Sequence, residues 1–191
     1  MQAGTYNPPI IEFGQEMLIA INLIAFQIGW FACVIGASKG IFWLGPLVVS
    51  VVFAVHLFLT RNFLREITLG LIISFIGFST DTLLTAFNIY SPLPNYFAPP
   101  WSHPWPIFMC LTFAPLMNVS IKWLGRNYML SALLGGIGGA LAYYSGNVFG
   151  ALHYFEPLLT NIAITGIVWA GLTPLFFYIS NQLKEYLQTH N

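Results

Sequence analysis

One carboxylic acid, Asp81, lies inside a long apolar stretch, FIGFSTDTLLTAF. In a membrane helix that begins near residue 67, Asp81 is about 14 residues, or roughly 21 Å, from the helix start. Because an ionised carboxylate at that depth costs on the order of 3 kcal/mol, we expect hydrogen-bond donors around it. We favour a proton-handling or substrate-anchoring acid. The alternative is a structural carboxyl held by Ser79, Thr80 or a neighbouring helix.

Several polar side chains on other predicted helices lie at a depth similar to that of Asp81. They are Gln27, Trp30, Tyr143, Tyr144 and Asn147. An acid, a phenol and an amide together can bind a polar head or relay a proton. We therefore predict a pocket with Asp81 and Tyr143 or Tyr144 as its catalytic groups. The predicted ligand-binding residues are Gln27, Trp30 and Asn147. Separate interhelical hydrogen bonds are the alternative.

Metal-ligating side chains are sparse in this sequence. His103, His153 and Glu156 lie in predicted loops on one side of the membrane, and the spacing predicts that His153 and Glu156 share a helical face. Without an HExxH motif or a cysteine pair beside them, we predict interfacial hydrogen bonding and no metal site. The sequence identifies no cofactor. We expect Cys33 and Cys110 to be buried thiols rather than a disulfide.

The composition indicates an integral membrane protein. Apolar residues make up 57% of the 191 residues and charged residues 6%, whereas soluble domains carry about 25% charged residues. Six basic residues balance six acidic ones, so no basic surface exists for a nucleic acid. Soluble globular domains and nucleic-acid-binding proteins are therefore excluded.

Charged and proline-rich segments divide the sequence into stretches of about 20 residues, the length of a membrane-spanning helix. We predict one all-α membrane domain over residues 1–191, with six spans at about residues 17–38, 41–60, 67–88, 105–124, 128–149 and 158–180. Lys39 is the basic residue on one side, and the other five, Arg61, Arg65, Lys122, Arg126 and Lys184, lie on the opposite side. Because basic loops stay in the cytoplasm, both termini are predicted there. The first 16 residues contain no Lys or Arg, so we expect the first span to be retained rather than cleaved as a signal.

The fifth predicted span contains small residues at a spacing of four, including Gly135 and Gly139 in SALLGGIGGALAYY. Small residues at this spacing allow two helix backbones to approach closely in lipid. We predict a packing face there. A helix of the same chain is the favoured partner, and a second subunit is the alternative.

Three segments carry a resemblance to a known family. They are NLIAFQIGWFACV, APPWSHPWPIFMCLTFAPLMNVSIKWL and SALLGGIGGALAYYSGNVFGA, together with the Asp81 segment. The chain resembles, over most of its length, a family of small uncharacterised bacterial inner-membrane proteins, a domain of unknown function. The resemblance implies a multi-pass protein of the bacterial inner membrane. Family members are often encoded near cyclopropane-type fatty-acyl methyltransferases, which implies a role in acyl-chain modification.

Three functions remain open at this point. The favoured one is lipid or acyl-chain binding, as an accessory to or an enzyme of membrane-lipid modification, with a polar pocket around Asp81. The second is a small proton-coupled transporter in which Asp81 alternately binds and releases a proton. The third is a non-catalytic assembly subunit that uses Gly135 and Gly139 as its contact face.

Overall fold

The computed structural model describes residues 9–60, 62–93 and 104–190, except for the side chains of residues 9–13 and 190. Within these residues the chain forms six α-helices, as predicted: α1 Pro9–Ser38, α2 Leu44–Thr60, α3 Phe63–Ala86, α4 Pro104–Asn118, α5 Tyr128–Val148 and α6 Leu158–His190. Two short strands, β1 Tyr90–Pro92 and β2 Leu152–Tyr154, pair in antiparallel orientation. The sequence did not predict this pair.

Within the described residues, three helical segments are long and apolar enough to cross a membrane. They are Gly14–Ser38, Phe63–Ala86 and Leu158–Thr189. Helix α2 is a shorter apolar helix. Large apolar side chains on the bundle surface are exposed, for example Phe58, Phe75 and Ile167, each more than 70% exposed. Such a continuous apolar exterior is typical of a surface that contacts lipid.

Helix α4 is shorter than the predicted span of residues 105–124. It ends at Asn118, and a 3₁₀ helix over Lys122–Arg126 follows. The turn between them is fixed by Ser120, whose hydroxyl donates to Asn22 Oδ1 over 2.6 Å. This side-chain bond competes with continuation of the helix, because it ties the turn to α1.

The six helices alternate in direction between two ends of the bundle. At one end, Glu66 near the start of α3 meets Asn118 at the end of α4. At the other end, the loops after α3 and α5 come together, because β1 pairs with β2 and the Leu93 amide donates to the Ala151 carbonyl. Each helix therefore runs from one end of the bundle to the other.

Among the described helices, α5 and α6 pack most extensively against each other. A Cβ atom on Gly135 would lie 2.1 Å from Thr173 Oγ1, and one on Gly139 would lie 2.4 Å from the Trp169 side chain. The small-residue face of α5 is thus filled by α6 of the same chain, which is the favoured of the two alternatives for this face.

The other helices pack as a second group. Helices α1, α2 and α4 contact one another, and α3 joins the two groups by packing against α4 and α6. Cys33 and Cys110 are free, buried thiols in this packing. Gly45 lies against Cys33, and Gly77 lies against Cys110. Helices α1 and α5 contact each other little among the described residues, which leaves a narrow gap where the two groups meet.

Candidate functional site

Asp81 lies on the buried face of α3 and is 1% exposed. Its Oδ1 accepts hydrogen bonds from two phenols, Tyr90 over 2.8 Å and Tyr143 over 2.5 Å. Its Oδ2 is also buried and accepts no hydrogen bond within the described part of the chain. We call Asp81, Tyr90, Tyr143 and Tyr154 the tyrosine cluster.

Tyr90 reaches Asp81 because the chain reverses after α3. Asn88 adopts a left-handed conformation with φ of 56°, which asparagine tolerates better than most residues. Strand β1 then returns toward the helix and places the Tyr90 ring 5.5 Å from that of Tyr143. The sequence interpretation missed Tyr90, because the residue lies beyond the predicted span and its approach depends on the pairing with β2.

Tyr154 supports Tyr90 from the paired strand. The two residues are register partners, with ring centroids 6.0 Å apart, and Tyr154 donates to Thr165 Oγ1 over 3.0 Å. Burial raises the pKa of Tyr154 to about 12 and the pKa of Tyr90 well above its usual value. Both phenols therefore stay protonated at neutral pH, and Tyr90 remains a donor to Asp81.

Of the supports predicted for a structural carboxyl, a neighbouring helix holds Asp81 through Tyr143 of α5, whereas Ser79 does not. The Ser79 hydroxyl donates to the Phe75 carbonyl over 2.8 Å rather than to Asp81. Serine in a helix commonly makes such a bond to the carbonyl one turn earlier. The phenols that hold Asp81 come from β1 and α5.

Two predicted site residues point away from Asp81. Tyr144 is 41% exposed, because successive helix residues are rotated by about 100° and Tyr143 takes the inward position. Gln27 is also exposed, since the buried face of α1 in this region passes through Asn22, Gly29 and Trp30. The predictions that place Tyr144 and Gln27 in the pocket were wrong.

An apolar cleft adjoins the tyrosine cluster in the gap between α1 and α5. Its lining residues are Trp30, Val34, Trp105, Met109, Ala142, Tyr143, Gly146 and Leu152. The cleft is shallow, because the 210 Å³ of space between these side chains includes open space outside the protein and the enclosed part has room for about one water molecule. Tyr143 thus touches both the cleft and Asp81, and Trp30 also lines the cleft.

Asn147 has a different position from the predicted one. Its Oδ1 accepts a hydrogen bond from the backbone amide of Tyr154 over 3.0 Å. Asn147 therefore holds β2 against the end of α5. It lies outside the cleft lining, so the prediction that it binds the ligand directly is not supported by this geometry.

A second buried polar group lies at the opposite end of the bundle. Glu66 Oε1 accepts from Asn118 Nδ2 over 2.8 Å, and Glu66 Oε2 lies 3.1 Å from His56 Nε2. Arg65 donates to Asn118 Oδ1 over 2.8 Å and to Ser180 Oγ over 3.2 Å. We call these five residues the glutamate network. It joins α2, α3, α4 and α6.

The sequence interpretation missed the glutamate network. In this network His56 is 7% exposed and Glu66 is 3% exposed. The available signal was that His56 lies one turn before the end of α2 and Glu66 lies in the first turn of α3, so both flank the same short connection.

The predicted relation between His153 and Glu156 was wrong. His153 lies in β2, and Glu156 follows that strand, where its Oε2 accepts from the Leu158 amide at the start of α6 over 2.9 Å. They therefore share no helical face. His103 and Arg61 lie outside the described residues. Within the described residues, no three His, Cys, Asp or Glu side chains form a group that suits a metal ion.

Comparison with known proteins gives one match. No curated protein and no solved structure matches the chain. A family model described as a protein of unknown function, DUF2878, matches residues 19–175. The match includes most of the chain and confirms that the resemblance is to a family of unknown function. The chain belongs to the DUF2878 family.

Proposed function

We propose that all six helices cross a bacterial inner membrane and that both termini lie in the cytoplasm. The alternating direction of the helices supports six crossings. Helix α4, with 15 residues, is about 22 Å long and α2, with 17 residues, about 25 Å. Both are shorter than a hydrocarbon layer of about 30 Å, so their flanking turns complete the crossing. The bacterial inner membrane as the location rests on the family resemblance.

The charge distribution supports the proposed orientation. Arg65 belongs to the glutamate network, and Lys122 and Arg126 bound the 3₁₀ helix beside the same end. Lys184 follows Ser180 by one helical turn on α6. Lys39 lies at the other end, after α1. The glutamate-network end is then cytoplasmic by the positive-inside rule.

We propose further that the protein binds a membrane lipid with an acyl chain in the cleft between α1 and α5. In this role it is an accessory to, or an enzyme of, membrane-lipid modification. The observation that carries the proposal is that Tyr143 lines an apolar cleft and donates to the buried carboxyl group of Asp81. An apolar body with few polar groups of fixed orientation is typical of a small-molecule site.

The mouth of the cleft is suited to entry from the bilayer. Trp30 contacts Phe31 and Phe149 edge to face, with ring centroids 5.0 and 6.2 Å away. Phe31 and Phe149 are 41% and 48% exposed. Because α1 and α5 are bridged by these side chains rather than by close backbone packing, an acyl chain enters by displacing rings instead of separating helices.

Asp81 and Tyr143 supply the polar end of this site. Tyr143 donates its hydroxyl hydrogen to Asp81 in a hydrogen bond, so the phenol oxygen keeps a lone pair that can accept from a donor on the ligand. Asp81 orients the phenol, and its second oxygen accepts a proton if the reaction requires a base. Asp81 is therefore the proposed acid or anchor, and Tyr143 is the group that touches the ligand.

The assembly alternative finds less support. The face through Gly135 and Gly139 lies against α6, so a second subunit has no access to it in this arrangement. The transporter alternative needs Asp81 to be reached from both sides of the membrane. This alternative predicts proton flux into liposomes that is lost in Asp81→Asn.

Lipidomics and native mass spectrometry of the gently purified protein test the proposal. Ala142→Phe fills the cleft, and the matched control Gly138→Phe puts the same ring on α5 where a Cβ meets nothing within 4 Å. We expect an acyl lipid to copurify with the wild type and Gly138→Phe, but not with Ala142→Phe. Asp81→Asn should reduce the bound lipid roughly tenfold, the value of one charge-assisted hydrogen bond.

Two results would overturn the lipid proposal. In one, Ala142→Phe retains as much lipid as its control. In the other, no lipid copurifies with any variant, and proton flux into liposomes that is lost in Asp81→Asn then supports the transporter instead.

A further inference from the structure

The indole of Trp105 carries an unused hydrogen-bond donor. Its Nε1 is buried and has no acceptor among the residues that the structure describes, and the side chain is 8% exposed. Buried polar groups without partners are rare, because burial removes their hydrogen bonds to water. An unpartnered donor in a cleft is therefore a candidate contact for a ligand.

Trp105 lies where such a contact can be used. It lines the cleft together with Tyr143 and belongs to the first turn of α4, which begins at Pro104. In the proposed orientation this turn lies near the outer boundary of the hydrocarbon layer. Tryptophan is enriched at that boundary, where its ring stays in an apolar region and its N–H meets polar groups.

The donors and acceptors of the cleft define the complementary ligand. Tyr143 donates its hydroxyl hydrogen to Asp81, and Trp105 Nε1–H is a buried side-chain donor that remains for a ligand among the described lining residues. The lining also includes Val34, Met109 and Leu152, which offer no strong hydrogen-bonding group. Once the aromatic rings at its mouth are displaced, the cleft lining therefore suits a hydrocarbon chain with an acceptor oxygen near its end.

We propose that Trp105 Nε1 donates a hydrogen bond to the ester carbonyl oxygen of the bound lipid, so that the ligand class is an acyl ester. This inference rests on the proposed lipid-binding function and narrows it. The carbonyl oxygen at the start of an acyl chain is the acceptor that Trp105 Nε1 lacks among the described residues. An ether-linked chain of the same length has a weaker and differently placed acceptor at that point.

A pair of matched lipids tests this assignment. The purified protein is exchanged with equal amounts of dipalmitoyl phosphatidylglycerol and its dihexadecyl ether analogue, and the bound ratio is measured by native mass spectrometry. We expect the wild type to prefer the ester lipid by roughly tenfold, as for one buried hydrogen bond. Trp105→Phe should bind both lipids equally, because the phenyl ring keeps an apolar lining at this position but has no donor.

The control variant is Trp43→Phe, which changes an exposed tryptophan outside the cleft lining and should keep the ester preference. The comparison of the two lipids in the wild type needs no variant, so it holds even if Trp105→Phe folds poorly. Equal binding of both lipids by the wild type, or a retained preference in Trp105→Phe, would overturn the role of Trp105 alone. Binding of neither lipid would overturn the proposed function and this inference with it.

Discussion

The two buried polar groups of the bundle differ in their charge balance and surroundings, although both contain polar atoms without a hydrogen-bond partner among the described residues. In the glutamate network, Glu66 and Arg65 carry opposite charges, and Asn118 bonds to both. In the tyrosine cluster, both phenols bond to one oxygen of Asp81 and leave the other without a donor. The first group neutralises its own charge, whereas the second keeps an acceptor within an apolar surrounding.

Their neighbours differ as well. The glutamate network bonds side chains of α3, α4 and α6 to one another, and His56 of α2 lies 3.1 Å from Glu66 Oε2. The tyrosine cluster borders the cleft. It includes Tyr90 because the chain reverses after α3 and β1 pairs with β2. The comparison indicates that the glutamate network fastens helices together, while the tyrosine cluster belongs to the part of the molecule that receives a ligand.

The largest expected difference between the two ends is their exposure to opposite sides of the membrane. His153→Cys introduces a thiol on the exposed strand β2, and Gln188→Cys introduces one near the end of α6, also exposed. A membrane-impermeant maleimide should label the first variant in intact cells and the second only after permeabilisation. The wild type, whose two thiols are buried, is the control. Labelling of Gln188→Cys in intact cells would contradict the proposed orientation.

Removal of the Glu66 carboxylate from the glutamate network should have the next largest effect, a fall in the free energy of unfolding. Glu66→Ala leaves the half-buried Arg65 charge without its counter-charge and leaves Asn118 Nδ2 without an acceptor. Loss of one partner from a buried pair costs about 3 kcal/mol or more, so we expect the free energy of unfolding to fall by about that amount. Thermal or denaturant unfolding in a fixed detergent measures it.

The matched control is Glu16→Ala, because Glu16 is exposed on α1. We expect this variant to be within about 0.5 kcal/mol of the wild type. Equal effects of the two substitutions would show that the glutamate network does not fasten the helices, and the contrast between the two ends would then fail.

The sequence was sufficient to predict where the six helices lie, because charged residues and prolines mark their ends. The prediction for α4 ran six residues too far, since its end is set by the contact of Ser120 with α1, which no local pattern displays. Helix α6 continues to His190, past the predicted membrane span of residues 158–180. It does so because the polar residues after this span contain no helix-breaking residue.

The sequence predicts how deep each site residue lies in the membrane, but not which face of its helix the residue occupies. The helical rise was enough to bring Asp81 and Tyr143 to one level. It does not state which face of each helix turns inward, so Gln27 and Tyr144 were included although both are exposed. Tyr90 required knowledge of the β1–β2 pairing, a contact between residues far apart in sequence.

The smallest expected effect comes from the tyrosine cluster. Tyr90→Phe removes one of two donors to Asp81 Oδ1 and keeps the ring that packs on Tyr143 and Tyr154. Hydrogen bonds between membrane helices contribute about 0.6 kcal/mol on average, and Tyr143 still holds the carboxyl group. We therefore expect a loss near that value, measured in the same unfolding assay as Glu66→Ala, with Tyr144→Phe as the unaffected control. A loss as large as that of Glu66→Ala would make the tyrosine cluster the fastening element and reverse the comparison.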